Sequence, residues 1–307
     1  MRPMHSIMIL LATSVQAQTM SHESMQMLDL QGGAGSHVAT QAGELPVSRF
    51  KRQAIQQITA DGGWLRATED DLSSSFFETS ISLGVPLGSF DNILGVTPSF
   101  RVDLVDATTA IDIPTELFEA GVNFFYRTPI SDRLSAMAIL RPSVRSDFTT
   151  SDKAFRIFGL GLLNWDCKPN VLSLSLGAVY LDRADLPLLP AVGVTWTPDS
   201  ATKLDLRFPE SRIAWRLAKD NQQSELWGYL TVGIGGNTWA VTRTSGQTDE
   251  LSLRDIRLMF GVDQVTDGGG GWFAEFGFAC NRSLEYESTQ IEISLSDGAL
   301  LQAGWRY

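Results

Sequence analysis

Residues 77–87 read Phe77-Glu78-Thr79-Ser80-Ile81-Ser82-Leu83-Gly84-Val85-Pro86-Leu87, and residues 100–104 read Phe100-Arg101-Val102-Asp103-Leu104. Successive side chains of a strand point to opposite faces, so Phe77, Thr79, Ile81, Leu83, Val85 and Leu87 share one face. Phe100, Val102 and Leu104 do the same in the second stretch, and Arg101 and Asp103 point the other way. Between the two, Gly88-Ser89-Phe90-Asp91-Asn92 has the residue types of a turn. The pair predicts two strands, apolar on one face and polar or charged on the other.

The pattern recurs along the chain. Phe118, Ala120, Val122, Phe124 and Tyr126 precede Pro129-Ile130-Ser131-Asp132, and Leu134, Ala136, Ala138 and Leu140 follow it, which predicts an antiparallel hairpin. Phe155 to Trp165 and Leu172 to Tyr180 make a second pair. Val192, Val194 and Trp196 come next, then Leu204, Leu206 and Phe208 with Lys203, Asp205 and Arg207 on the opposite face. Pro209 cannot donate to a ladder and marks a bulge, rim or turn before Ile213, Trp215 and Leu217. The last third adds segments around 226–234, 239–241, 251–262, 272–280, 291–295 and 301–307, with turns at Gly235-Gly236-Asn237, Asp267-Gly268-Gly269 and Ser296-Asp297-Gly298. Bacterial single-chain barrels have an even strand number, so the segments predict about twelve strands, with about fourteen the next choice.

Three features favour a barrel that crosses a membrane over a soluble one. Many segments approach the ~9–11 residues that a tilted strand needs to cross a bilayer, whereas soluble strands average ~5–6. Aromatics stand near segment ends, at Trp165, Tyr180, Trp196, Trp227, Trp239, Trp272 and Trp305, as girdles at the water–lipid boundaries require. The chain ends with Leu301, Ala303, Trp305 and Tyr307 at every second position, like the assembly signal of outer-membrane barrels. The fold expected is therefore all-β, a closed antiparallel up-and-down transmembrane β-barrel.

Composition supports export. Residues 1–17 carry a positive charge at Arg2, an apolar run from Ile7 to Ala12 and a small residue at Ala17, the three parts of a cleavable signal peptide. Residues 18–71 read as a flexible leader with a possible short helix near Val47 to Ile58, and 72–307 as the barrel domain. No later run approaches the ~18 apolar residues of a membrane helix. The formal charge of -11 argues against a nucleic-acid partner. Outer-membrane lipid and the barrel-assembly machinery are the partners expected. Cys167 and Cys280 are far apart in sequence, and the compartment permits a disulfide without requiring one.

All three histidines, His5, His22 and His37, precede the strand region. That removes Ser-His-acid and Cys-His catalysis and any His-containing metal site from the barrel. A Ser-Lys or two-carboxylate site is not removed by this, but no such constellation stands out. Gly268-Gly269-Gly270-Gly271 lacks the Gly-Lys-Ser/Thr ending of a phosphate loop and reads as a turn. No enzyme activity, cofactor or metal is expected.

The charges opposite the apolar faces are Arg101, Asp103, Arg141, Arg145, Arg156, Asp205, Arg207, Arg216, Arg257 and Glu275. A bare Arg facing lipid at the midplane costs about 2–4 kcal/mol, so these belong in the lumen. They either brace a narrow interior as Arg–acid pairs or form an Arg-rich pore that attracts anionic solutes. A barrel-anchored adhesion or scaffold surface and a soluble periplasmic barrel with an apolar pocket are the other readings.

Leu189-Pro190-Ala191-Val192-Gly193-Val194-Thr195-Trp196-Thr197-Pro198, then Leu204-Asp205-Leu206-Arg207-Phe208-Pro209 and Arg212, resemble an uncharacterised family of outer-membrane β-barrel proteins abundant in planctomycete-type bacteria. Trp227-Gly228, Gly235 to Val241, Asp255-Ile256-Arg257 and Asn281 to Tyr286 agree with it. The resemblance spans about Leu72 to Tyr307 and implies location and architecture, with no catalytic residues to carry over.

Overall fold

The computed structural model describes residues 47–49, 51, 53–87, 92–108, 110–180 and 188–307. The signal peptide expected at residues 1–17 and most of the expected leader lie outside the described residues. Alternation decides which way each side chain points. On the second strand Glu78 and Ser80 are 5% and 3% exposed, while Phe77 and Ile81 are 52% and 43% exposed. The polar face is the inside of the protein and the apolar face its outside.

The strands in chain order are β1 (Ile55–Ala67), β2 (Leu72–Pro86), β3 (Ile93–Ala107), β4 (Glu116–Ser131), β5 (Leu134–Ser146) and β6 (Phe155–Lys168). Then come β7 (Leu172–Tyr180), β8 (Leu188–Asp199), β9 (Thr202–Arg207), β10 (Glu210–Asp220) and β11 (Ser224–Gly235). The last are β12 (Thr238–Thr242), β13 (Thr248–Thr266), β14 (Gly271–Tyr286), β15 (Ile291–Leu295) and β16 (Gly298–Arg306). Each of β1 to β10 pairs antiparallel with its successor, and β11 then pairs with β13, β13 with β14 and β14 with β16. The seam is β1 against β16, from Thr59 opposite Arg306 to Ala67 opposite Gly298. The result is a closed antiparallel barrel of 14 strands. The fold class read from the sequence holds, and the wall has two strands more than the preferred count.

The leader ends earlier than the sequence reading placed it. Ile55–Ala67 is β1, a wall strand, rather than leader or helix. Its outward face carries Ala60 and Gly62 beside Ile58 and Trp64, and its inward face Thr59, Asp61 and Gly63. Small residues on both faces weaken the alternation by which a strand is recognised.

Both chain ends of the barrel lie at one mouth, the terminal mouth. Its connections that lie wholly among the described residues are tight turns at 132–133, 169–171, 200–201, 221–223 and 267–270. The last contains Gly268 and Gly269 at positive φ, so the glycine run is a turn. At the opposite, far mouth the links at 108–115 and 147–154 are longer, and the sheet itself extends. β12 continues the β11–β13 hairpin in register, with Gly235 opposite Asp255 and Thr238 opposite Ser252. β15 likewise extends β16 along β14, with Ala279 opposite Gly298 and Arg282 opposite Leu295.

The outer parts of β13 and β14, flanked by β12 and β15, thus form a four-stranded flap. The flap crosses the far mouth. Ala240 of β12 bridges Ser146 of β5, which has six strands between it and β13 in either direction around the wall (β6–β11, or β4–β1 with β16 and β14). Trp239, Val241, Leu251, Leu284, Tyr286 and Leu295 of the flap pack on Leu72, Val105 and Leu117 at the rim. Burying a side chain of this size stabilises by about 1.5–3 kcal/mol, enough in sum to hold a lid of four short strands.

The interior is not uniformly polar. Phe125, Met137, Ile139, Phe158, Leu160, Leu162, Val179 and Ala191 form an apolar cluster inside β4 to β8.

The lid departs from the wall at Gly236, where φ is +100° and an added Cβ would meet the Leu253 carbonyl oxygen at 2.0 Å. Gly236→Val should cost roughly 1–3 kcal/mol of local strain. Amide exchange over 238–252 should then accelerate by about tenfold or more while wall amides stay protected, as read by hydrogen-exchange mass spectrometry.

Candidate functional site

The candidate site is the lumen, because the chain's charged side chains converge there. Arg101, Asp103, Arg141, Arg145, Arg156, Asp205, Arg207, Arg216, Arg257 and Glu275 all lie inside the barrel, buried or partly buried. The structure divides them among several groups. On β2 to β5, Arg101 forks onto Asp103, with Nε–Oδ2 2.8 Å and Nη2–Oδ1 2.7 Å, and reaches Glu78 at 3.4 Å. Arg141 and Arg145 both hold Glu119 Oε1, at 2.9 and 3.0 Å. Asn237, at the lid's root, donates to the other oxygen of Glu119 at 3.1 Å. This group therefore ties the wall to the lid.

Across the lumen Asp205 pairs with Arg207, and Arg257 forks onto Asp255 at 2.7 and 3.0 Å. Asp263 pairs with Arg306 and lies 3.7 Å from Arg212, whose guanidinium stacks on the Tyr229 ring. The Tyr229 hydroxyl donates to Glu275 at 2.6 Å. Nearer the terminal mouth, Arg216 and Lys219 flank Glu225 at 3.3 Å each. Arg156 stands at the far rim, paired with Glu250 of the lid, which Lys153 also holds at 3.0 Å.

Sequence reasoning missed Asp61, Glu78, Glu119, Glu210, Arg212, Tyr229, Asp263 and Arg306. Counting parity from Arg216 and Arg257 would have found Glu210, Arg212 and Asp263, and counting from the outward Phe77, Phe118 and Trp305 would have found Glu78, Glu119 and Arg306. It also misplaced two tryptophans. Trp227 points inward and donates to Glu225 at 3.0 Å, and Trp239 is 4% exposed under the lid. The exposed aromatics that do form a ring at the terminal mouth are Trp165, Trp196, Trp215, Trp272, Trp305 and Tyr307. Trp64, Phe155 and Tyr180 stand near the far mouth. Leu301 and Trp305 of the C-terminal strand face outward with Tyr307, and Ala303 shares their parity. Cys167 and Cys280 are free thiols.

A cavity of about 150 Å³ lies among Glu78, Arg101, Asp103, Glu119, Arg141, Asp255, Arg257 and Glu275, and the lid's Trp239 and Leu253 also line it. It has room for on the order of ten waters. Among the described residues no group of His, Cys, Asp and Glu is arranged to hold a metal ion.

Residues 106–292 match the family model described as Domain of unknown function (DUF6268). That span exceeds half the chain. The chain belongs to the DUF6268 family. The match covers β4 to β14 and stops short of the β1–β16 seam. No curated protein sequence matches it. Among solved structures, the outer membrane protein Omp33 of Acinetobacter baumannii is 8% identical with a TM-score of 0.30, over 83% of this chain and 99% of that one. OccD3 (OpdP) of Pseudomonas aeruginosa is 9% identical with a TM-score of 0.33, over 88% and 94%. The translocator domain of the Neisseria meningitidis autotransporter NalP is 12% identical with a TM-score of 0.29, over 93% and 96%.

Polar clasps fasten the lid. Asp147 accepts from the Thr242 amide at 2.7 Å, and its own amide donates to Ala240. Asp112 accepts from Arg243 Nε at 3.0 Å and the Thr244 amide at 3.1 Å, and its carbonyl takes the Tyr286 hydroxyl. Burial raises both carboxyls, but the Thr242 amide and Thr149 at Asp147, and the Thr244 amide and Arg243 at Asp112, outweigh it and leave both below the usual carboxylate range.

A depressed folded pKa stabilises above the unfolded value of about 4 and stops doing so as pH falls through the folded value. Lid amides of wild type should therefore exchange faster, relative to wall amides and after correction for intrinsic rates, as pH is lowered below about 4. Asp147→Asn should remove part of that dependence, and Asp147→Asn with Asp112→Asn a larger part.

Glu119→Gln leaves Arg141 and Arg145, both almost fully buried, short of a counter-charge. It should destabilise the barrel by about 3–5 kcal/mol in urea unfolding from lipid vesicles. Adding Arg145→Met should restore a substantial part.

Proposed function

We propose that this protein is a non-enzymatic integral β-barrel of the bacterial outer membrane, exported by a signal peptide, whose lumen is braced shut by ion pairs and covered by a lid. The observation that carries this reading is the outer surface. Ile58, Phe77, Ile81, Phe100, Leu140, Leu163, Leu176, Val192, Ile213, Val232, Phe260, Phe276 and Leu301 are all exposed, on strands that go right round the wall. A soluble protein rarely exposes an apolar patch beyond a few hundred Å², and here the apolar face is the whole girth. Hydrocarbon is the medium that suits it, and a closed sheet leaves no backbone group unpaired there. The aromatic ring at the terminal mouth fits the water–lipid boundary.

The lumen favours bracing over an Arg-lined anion pore. Arg101, Arg141, Arg145, Arg207 and Arg257 are each committed to a carboxylate within the wall. The seated lid packs on the rim and bridges β5 across the far mouth, so on this reading passage of solute requires the lid to lift. The protein is on this reading a structural barrel or a gated narrow conduit, with outer-membrane lipid and the barrel-assembly machinery as its partners.

Unboiled protein extracted from outer membranes should migrate differently from boiled protein on SDS gels, since a closed barrel resists SDS until heated. Wild type in planar bilayers should hold the current at baseline, and steps of conductance in Asp147→Ala with Arg243→Ala would decide for the gated conduit over the structural barrel. Recovery without detergent, with no mobility shift, would overturn the membrane assignment.

A further inference from the structure

The charges around the cavity do not cancel. Glu78, Asp103 and Glu119 are matched by Arg101, Arg141 and Arg145. Asp255 is matched by Arg257, and Asp205 by Arg207. Of the other charged residues on the lining, Glu275 takes the Tyr229 hydroxyl, Arg254 pairs with Glu285 and Arg282 donates to the Leu72 and Ser296 carbonyls, which leaves two carboxylates. Asp61 is 7% exposed and lines the cavity, yet it makes neither a hydrogen bond nor an ion pair among the described residues. The charged groups acting on it are Glu78, Glu275 and Arg101, and that arginine is already forked onto Asp103. Glu210 also lines the cavity and lacks a partner of either kind among the described residues. It lies against Gly233, where a Cβ would come within 2.8 Å of its Cγ, and is acted on by Glu275, Arg212, Arg257 and Asp205.

A buried carboxylate without a counter-ion is costly, and a wall that has paired its other acids so thoroughly leaves these two conspicuous. We propose that the cavity binds a small organic cation of the ammonium class, with Asp61 and Glu210 as its counter-charges. The carboxylates do not converge as a bare metal ion needs. A cation with several N–H donors can instead spread its bonds over separated acceptors, and Thr231 and Gln302 offer neutral oxygens on the same surface. Indole and leucine side chains of Trp239, Leu65 and Leu253 suit an alkyl portion. The site's sign is opposite to that of an Arg-rich anion pore. This inference rests on the lidded barrel of the proposed function, but not on where the protein resides.

The test is thermal unfolding of the full mature chain, refolded into detergent with the salt present so that the lid does not bar entry. Loss of the unheated gel mobility is the readout. At equal ionic strength, methylammonium chloride should raise the midpoint by several degrees over tetramethylammonium chloride, which has no N–H. Asp61→Asn and Glu210→Gln should each shrink that difference, and Asp61→Asn should itself be the more stable protein in tetramethylammonium.

Equal midpoints for wild type in the two salts, or an undiminished difference in both variants, would overturn the proposal. So would sodium chloride giving the whole shift, since that would mean charge alone is recognised. A chain that never shows the unheated mobility would instead sink the barrel reading itself, so the two failures are told apart.

Discussion

A sheet with an apolar outer face all round has one arrangement in which no backbone donor or acceptor faces that medium unpaired, and that is closure on itself. Here closure depends on the β1–β16 seam, from Thr59 against Arg306 to Ala67 against Gly298. Without it, two edges would expose their amides and carbonyls beside Trp64 and Leu301, where no water can replace the missing partners. The inward turn of Arg101, Asp103, Arg141, Arg145, Asp205, Arg207, Arg257 and Glu275 follows from the same constraint. Once the outer face is committed to apolar groups, the period of two leaves the inner face as the place for Arg, Asp and Glu.

Crowding charges inside a barrel is tolerable only if they neutralise one another. Glu119 shows how this is done, because it accepts from Arg145 and Asn237 and pairs with Arg141, thereby joining two wall strands and the lid. Side chains of opposite charge, paired along one strand or between strands, fill the lumen much as apolar ones fill the inside of β4 to β8. The two halves of the interior thus solve the packing problem differently. One uses ion pairs and the other uses Phe125, Ile139, Phe158 and Leu160.

The lid is built from the same hairpins as the wall, extended beyond it. Its apolar underside seals it to the rim, and polar groups at its tip fasten it to loops on the opposite side. The apolar contacts supply adhesion that is insensitive to acid. The carboxylate clasps supply position and respond to pH. Membership of the DUF6268 family covers most of the lid and wall, so these devices belong to the matched region rather than to the termini.

Face assignment was legible in the sequence because it is local. Phe77 and Glu78 differ by one residue and therefore point opposite ways wherever the strand goes. The all-β class, the apolar exterior and the inward course of Arg101 and Arg145 follow from that. β1 escaped notice because Ala60, Gly62 and Gly63 blur the alternation, and the apolar interior of β5 and β6 escaped because a strand apolar on both faces has none. Trp227 and Trp239 were misjudged by position, since nearness to a segment end does not say which face a side chain takes. What only the tertiary structure decided is non-local: that β1 closes against β16, that Arg145 meets Glu119, that β12 reaches β5 across the mouth, and that Asp61 is left without a partner among the described residues. The sequence sets the direction of each side chain through the two-residue period of its own strand. Which side chain it meets depends on register between segments up to a whole barrel apart, and no local pattern encodes that.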